Sequence, residues 1–268
     1  MNEELKDNKT ENKIEIKGYH IGGGKPLICV PLVERRRENI LTAAKAAAGK
    51  GIPMIEWRMD WYEHVSVWEE VRDVLQELAE ICRDTILLCT FRSRNQGGEG
   101  EMTEEEYQKF LLHLAECQKA DLLDVETARL SQAEHVIREI HKTSGLVLAS
   151  QHYFSHTPET ACMEQELQRM KEQGADIGKI AVMPQKPIDV VRLLEATVRV
   201  KETYPDYPIV TMSMGSMGMI SRISGQQFGS CITFASFGQE SAPGQLPVED
   251  MSEILDKIAE NMECSHEA

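Results

Sequence analysis

The sequence predicts an α/β chain closed into a (β/α)8 TIM barrel, with a short N-terminal β-hairpin closing the bottom. Three observations carry this. Apolar runs alternate with helical stretches eight times along the chain. The runs start about 29 residues apart, close to the ~30 of a strand–helix–strand unit. Each run is rich in Ile, Leu and Val without strict alternation, as in parallel sheets covered on both faces. Eight such units favour a closed barrel over an open sheet. No linker-like stretch divides the 268 residues, so one domain is expected over residues 14–268. Residues 1–13 are polar, lack periodicity and read as a flexible tail.

Ile14 to Ile21 alternates apolar and polar side chains, which predicts the hairpin, ended by Gly22-Gly23-Gly24. Leu27–Val33 is the first barrel strand. The Ala-rich stretch Asn39–Lys50 is a helix stopped by Gly49 and Gly51. Met54–Asp60 and Thr85–Phe91 are strands flanking an amphipathic helix, Val65–Cys82. Thr103-Glu-Glu-Glu106 fits a capping box and opens a helix to about Lys119. Leu122–Glu126 is a strand, and Ser131-Gln-Ala-Glu134 is expected to cap the next helix. Gly145–Gln151 is a strand. Thr157-Pro158-Glu159 starts a helix with proline at its first position. Strands at Asp176–Met183, Pro208–Ser213 and Cys231–Phe237 alternate with helices at Pro187–Thr203, Met219–Phe228 and Val248–Met262.

Composition and charge exclude several classes of function. With 44 acidic and 29 basic side chains the formal net charge is −15. A field of that sign repels nucleic acid and anionic membrane surfaces, so neither is expected as a partner. The longest apolar runs, such as Ile86–Phe91, are far below the roughly 18–20 residues of a transmembrane helix. The polar, acidic start has no apolar h-region, so a cytoplasmic location is expected. Seven cysteines without a C-x-x-C pair argue against a disulfide framework or a zinc site.

Active sites of such barrels lie at the C-terminal ends of the strands. The second strand carries Glu56, Arg58 and Asp60 at a spacing of two, hence on one face; Trp57 and Met59 fill the other, so the charges point inward. The third ends in Arg92-Ser-Arg94, before Gln96-Gly97-Gly98-Glu99. His152 stands at the end of the fifth strand, with His156 in the loop beyond, and is the best placed of eight histidines for acid–base work. Lys179 lies in the middle of the apolar sixth strand. Burial favours a neutral amine, ready to attack a carbonyl and form a Schiff base; the competing reading is a structural pair with Glu56 or Glu126. Arg222 follows the seventh strand, and Ser241 and Gln245 lie in a loop broken by Gly and Pro. This set suits a small hydroxylated anion. Gly22-Gly23-Gly24 matches neither the P-loop nor the Rossmann pattern.

At these residues the chain resembles the type I 3-dehydroquinate dehydratases. The matching segments are Glu56-Trp-Arg58-Met-Asp60, Thr90-Phe-Arg92-Ser, Gly97-Gly98-Glu99, Ser150-Gln-His152, Lys179-Ile-Ala-Val-Met-Pro184, Ile220-Ser-Arg222 and Ser241-Ala-Pro-Gly-Gln245, in order across residues 14–262. The resemblance implies a homodimeric lyase of the shikimate pathway that converts 3-dehydroquinate to 3-dehydroshikimate and water, without metal or cofactor. It implies that Lys179 forms an imine with the substrate ketone and that His152 is the general acid and base. It also implies that Arg222 binds the carboxylate, while Glu56, Arg58, Arg92, Ser241 and Gln245 hold the rest of the substrate. One position departs. Where the family usually carries a glutamate that orients the histidine, this chain has Gln96; Glu99 and Glu126 are the carboxylates considered as compensation. Two rival readings share part of this pattern. A class I aldolase would share the barrel and the imine but usually needs a phosphate site. A non-catalytic ligand-binding relative would have no need of a desolvated lysine.

Overall fold

The computed structural model describes residues 14–238 and 241–263; the expected tail over 1–13 lies outside the described residues. Strands β1 (Ile14–Ile16) and β2 (Tyr19–Ile21) form the antiparallel hairpin. Its turn residues Lys17 and Gly18 both have positive φ, 51° and 80°, the two-residue geometry that suits the twist of a hairpin.

Eight parallel strands follow: β3 (Leu27–Leu32), β4 (Met54–Arg58), β5 (Ile86–Thr90), β6 (Leu122–Val125), β7 (Leu146–Tyr153), β8 (Ile177–Val182), β9 (Ile209–Ser213) and β10 (Ile232–Phe234). They pair in chain order, and β10 returns to β3 with Ile232 opposite Leu27. The seam between β9 and β10 is closed by Cys231 N donating to Ile209 O at 2.9 Å and Thr211 N donating to Ser230 Oγ at 3.0 Å. Helices α1 (Arg37–Gly49), α2 (Trp68–Ile81), α3 (Glu104–Cys117), α4 (Ala133–Lys142), α5 (Thr160–Glu172), α6 (Pro187–Thr203), α7 (Met219–Ile223), α8 (Gly225–Phe228) and α9 (Val248–Glu263) lie between and after them. This is the (β/α)8 barrel expected.

Alternation along each strand divides the core in two. Outward residues such as Ile55, Trp57, Leu87, Leu123, Val147 and Ile180 pack beneath the helices. Inward residues Met54, Ile86, Leu88, Leu122, Leu148 and Ile177 fill the lower barrel, joined there by Ile16 and Ile21 of the hairpin. Lys17 fastens the hairpin to the strand entrances, its Nζ donating to Cys82 O (2.7 Å), Thr85 O (3.0 Å) and Asp121 Oδ2 (2.6 Å). The same inward columns turn polar toward the strand ends. Met54 gives way to Glu56 and Arg58, Leu122 to Asp124, Leu148 to Ser150 and His152, and Ile177 to Lys179.

Several boundaries differ from expectation, each for a local reason. The capping box at Thr103 and Glu106 forms as expected. Ser131 caps nothing; its N–H and hydroxyl both donate to Glu104 Oε1, and α4 begins after Gln132. Pro158 is not the first residue of α5, because Thr157 is tied by its hydroxyl to Met183 O at the end of β8 and the helix starts at Thr160. The helix expected over Met219–Phe228 breaks at Ser224 into α7 and α8. The last strand stops at Phe234, since Ser236 leaves the barrel to exchange backbone bonds with Leu246 and Val248. Asp60 lies in a 3-10 turn just past β4 rather than on the strand.

Candidate active site

The polar upper ends of the inward columns converge on one cavity. Glu56, Arg58, Arg92, Gln96, His152, Lys179, Arg222, Ser241 and Gln245, all singled out from the sequence, line it. Lys179 on β8 is 3% exposed. Its Nζ lies 3.8 Å from Glu56 Oε1 and 3.7 Å from Asp124 Oδ2, and 4.2 Å from the centre of the Phe234 ring. Both carboxylates are beyond ordinary hydrogen-bond length, so they set a field at the amine without capturing it. Of the two partners weighed from the sequence, Glu56 is present and Glu126 is not; Asp124 takes that place. Glu56 is itself held by the Thr90 hydroxyl, which donates to Oε1 at 2.8 Å.

Glu126 is committed to Arg92. The Arg92 guanidinium donates to Glu126 Oε1 (2.9 Å), Ser150 Oγ (2.8 Å) and Asp124 Oδ2 (2.7 Å), and Ser93 N donates to the same Glu126 oxygen. Burial opposes the Asp124 carboxylate, but Arg92 and Lys179 outweigh it and, with the Ser150 hydroxyl, hold its carboxyl below the usual range. Arg58 meets Asp60 through two parallel bonds, 2.9 and 2.8 Å. Asp60 also accepts from Arg92 N and Glu99 N, so one carboxylate pins the ends of β4 and β5 and the Gly-Gly loop together.

His152 follows Ser150 by two residues on β7 and so faces the same interior. Its neighbours across the pair are Ala181 on β8, two beyond Lys179. Gln96 Oε1 lies 2.9 Å from His152 N and 3.1 Å from Nδ1. The imidazole stacks on Phe154, ring centres 6.3 Å apart and planes 22° from parallel. Burial, with Arg92, Lys179 and Arg58 nearby, pushes its pKa well below the ordinary histidine value. The carboxylates considered as compensation lie elsewhere: Glu126 on Arg92, and Glu99 with its side chain 3.9 Å from Arg35. His156 turns away, its Nδ1 facing the Ser155 hydroxyl.

Arg222 is 2% exposed on α7, with Nη1 3.8 Å from Met212 Sδ and Nη2 donating to Pro243 O at 3.2 Å. Ser241 and Gln245 bond to one another: Gln245 Oε1 accepts from Ser241 N, and Gln245 Nε2 donates to Ser241 Oγ. Gly215 N also donates to Pro243 O, so the loop carrying both is anchored beside Arg222. Among the described residues no three His, Cys, Asp or Glu side chains converge in a way that could hold a metal ion, and no helix is long and apolar enough to cross a membrane.

The sequence reading missed Asp124, Thr90 and Ser150. For Asp124 the signal was present: Leu122-Leu-Asp124-Val-Glu126 repeats the period-two charged pattern that marked Glu56, Arg58 and Asp60. Phe154, Met212, Met214 and Phe234 also line the cavity, and as single apolar residues they gave no signal.

Comparison with known proteins supplies the rest. The family described as type I 3-dehydroquinase matches residues 28–262. The 3-dehydroquinate dehydratase of Clostridioides difficile is 40% identical over 252 residues, covering 92% of this chain and 98% of that protein. That of Enterococcus faecalis is 40% identical over 247 residues, with 92% and 98% covered. Among solved structures, the type I enzyme of Clostridium difficile with covalent modified comenic acid superposes with a TM-score of 0.90 at 39% identity, covering 93% of this chain and 98% of that one. The Enterococcus faecalis enzyme superposes with a TM-score of 0.85 at 37% identity, covering 91% and 98%.

Proposed function

This chain belongs to the type I 3-dehydroquinase family, and from that premise we propose that it dehydrates 3-dehydroquinate to 3-dehydroshikimate through an imine on Lys179, with His152 as general acid and base. The observation that carries the reading is the placement of Lys179 and His152 on adjacent strands, facing one cavity. The Lys179 amine adds to the C3 ketone, and the carbinolamine loses water to give an iminium. The iminium draws electrons from the C2–H bond, and His152 Nε2 takes that proton. The resulting enamine expels the C1 hydroxyl, which leaves as water with the proton from His152. Water then hydrolyses the conjugated iminium and returns the free lysine. Glu56 and Asp124 flank the nitrogen that becomes cationic, and fixed charges of this kind stabilise the iminium without reorganising. Arg222 takes the substrate carboxylate; Ser241, Gln245, Glu56, Arg58 and Arg92 surround the ring and its hydroxyls. The C. difficile relative, solved with a covalently modified compound, supports covalent chemistry in the family.

The same reading makes the protein a homodimer, cytoplasmic, with a single catalytic domain over residues 14–268 and no metal or cofactor in its reaction. Borohydride added during turnover with 3-dehydroquinate should leave a stable adduct on Lys179, read by mass spectrometry. Lys179→Ala should lose both adduct and turnover while remaining folded. Adduct formation on another lysine overturns the mechanism.

A further inference from the structure

Gln96 Oε1 is approached by two atoms, the backbone nitrogen of His152 at 2.9 Å and its ring Nδ1 at 3.1 Å. The backbone N–H is an obligate donor, so the Gln96 atom facing it is the carbonyl oxygen and not the amide nitrogen. The other end agrees, because Gln96 Nε2 points to Gln151 Oε1 at 3.4 Å. An oxygen with two lone pairs accepts twice and donates nothing. The ring nitrogen that meets it therefore carries the proton, and a neutral imidazole has only one. A ring flip would put a carbon against Gln96 and lose the bond. The stack on Phe154 fixes the plane of the ring, and Phe154 in turn lies over Gly97, where a Cβ would come within 2.1 Å of its ring.

We propose that Gln96 is a positioning residue that fixes His152 in its Nδ1-protonated tautomer and so presents the bare Nε2 to the cavity, doing with a neutral amide what a carboxylate would do with a charge. The proposal rests on the reading of His152 as the base. The charged groups around the imidazole are Arg92 at the end of β5, Lys179 on β8 and Arg58 on β4, with Glu56 beside Lys179, and Asp124 and Glu126 bonded to Arg92. No carboxylate among these bonds the ring. The histidine therefore stays neutral to lower pH than it would beside an anion.

Nitrogen-15 NMR of the histidine-labelled full chain tests the assignment directly, with the His152 signals identified by their loss in His152→Asn. Near neutral pH the spectrum should show a protonated Nδ1 and an unprotonated Nε2. Gln96→Leu should shift it toward the opposite tautomer or a mixture and lower kcat about tenfold, a fraction of the 10²–10⁴ a general base contributes. Gln96→Glu should keep the tautomer but favour imidazolium, moving the acid limb of the kcat/KM profile up by ~1 pH unit or more. A wild-type spectrum with the proton on Nε2, or an unchanged one in Gln96→Leu, overturns the proposal. The base reading fails separately, if His152→Asn still turns over at the wild-type rate.

Discussion

Arg222 shows how much a site of this kind asks of a single side chain. Its two terminal nitrogens stand on different partners, Met212 Sδ and Pro243 O, and a planar guanidinium can keep such contacts while turning a paired edge to a carboxylate. Lysine keeps the charge and loses the fork. Arg222→Lys should therefore raise KM about tenfold or more, the equivalent of ~1.4 kcal/mol, with a smaller effect on kcat. An unchanged KM would mean that the carboxylate binds elsewhere. At this scale the sequence was legible where a polar residue interrupts an apolar strand, as at Lys179, or where charges repeat with period two, as at Glu56 and Arg58. It was not legible where the role depends on what a neighbour already holds. Arg92 was expected to face substrate, yet most of its donors are taken by Asp124, Glu126 and Ser150, so it organises carboxylates as well as lining the cavity. Glu126 is spent on Arg92 while Asp124 meets both Arg92 and Lys179, an arrangement set by packing across strands, which no spacing encodes.

The loop between β10 and α9 shows the same limit at the level of elements. Gly and Pro marked it as a loop, but not its anchorage. Gly244 has φ +77°, and a Cβ there would stand 2.4 Å from Gly215 O. Gly244→Ala should push Ser241 and Gln245 away from the cavity, raising KM severalfold while the thermal midpoint moves little, since the loop lies outside the packed core. Steady-state kinetics and a melting curve on one preparation decide this; a kinetically silent variant would detach the loop from substrate binding. Apolar periodicity located all eight strand–helix units, because burial on both faces writes a continuous run into each strand. It misjudged ends wherever a side chain took a distant partner. Ser131 bonds Glu104 instead of its own helix, and Thr157 bonds Met183 O. Local cap rules do not include such partners.

Over the whole molecule the two ends of the barrel divide the work, chemistry at the strand C-termini and stability at the N-termini. Lys17 belongs to the second. Asparagine tolerates the positive φ of that position, so Lys17→Asn leaves the turn intact and removes only the bonds to Cys82 O, Thr85 O and Asp121. Stability should fall by about 0.5–1.5 kcal/mol, the net range for hydrogen bonds that water can partly replace, with kcat and KM unchanged. A loss of activity equal to the loss of stability would contradict the division. The formal net charge of −15 disfavours anions over the molecule at large, so the cations lining the pocket, Arg58, Arg92, Lys179 and Arg222, are what an anionic ligand has to find there. The ring is closed by Ile232 beside Leu27, and the clasp of the hairpin spans 104 residues from Lys17 to Asp121. A chain emerging from the ribosome therefore carries its floor from the outset but has nothing to fasten it to until β5 and β6 exist, and no closed ring until β10 is made. For most of its synthesis the apolar interior of the barrel stands open along two unpaired strand edges. Exposed apolar surface and unpaired strand edges of this kind are what make a folding intermediate prone to aggregate, however stable the finished structure.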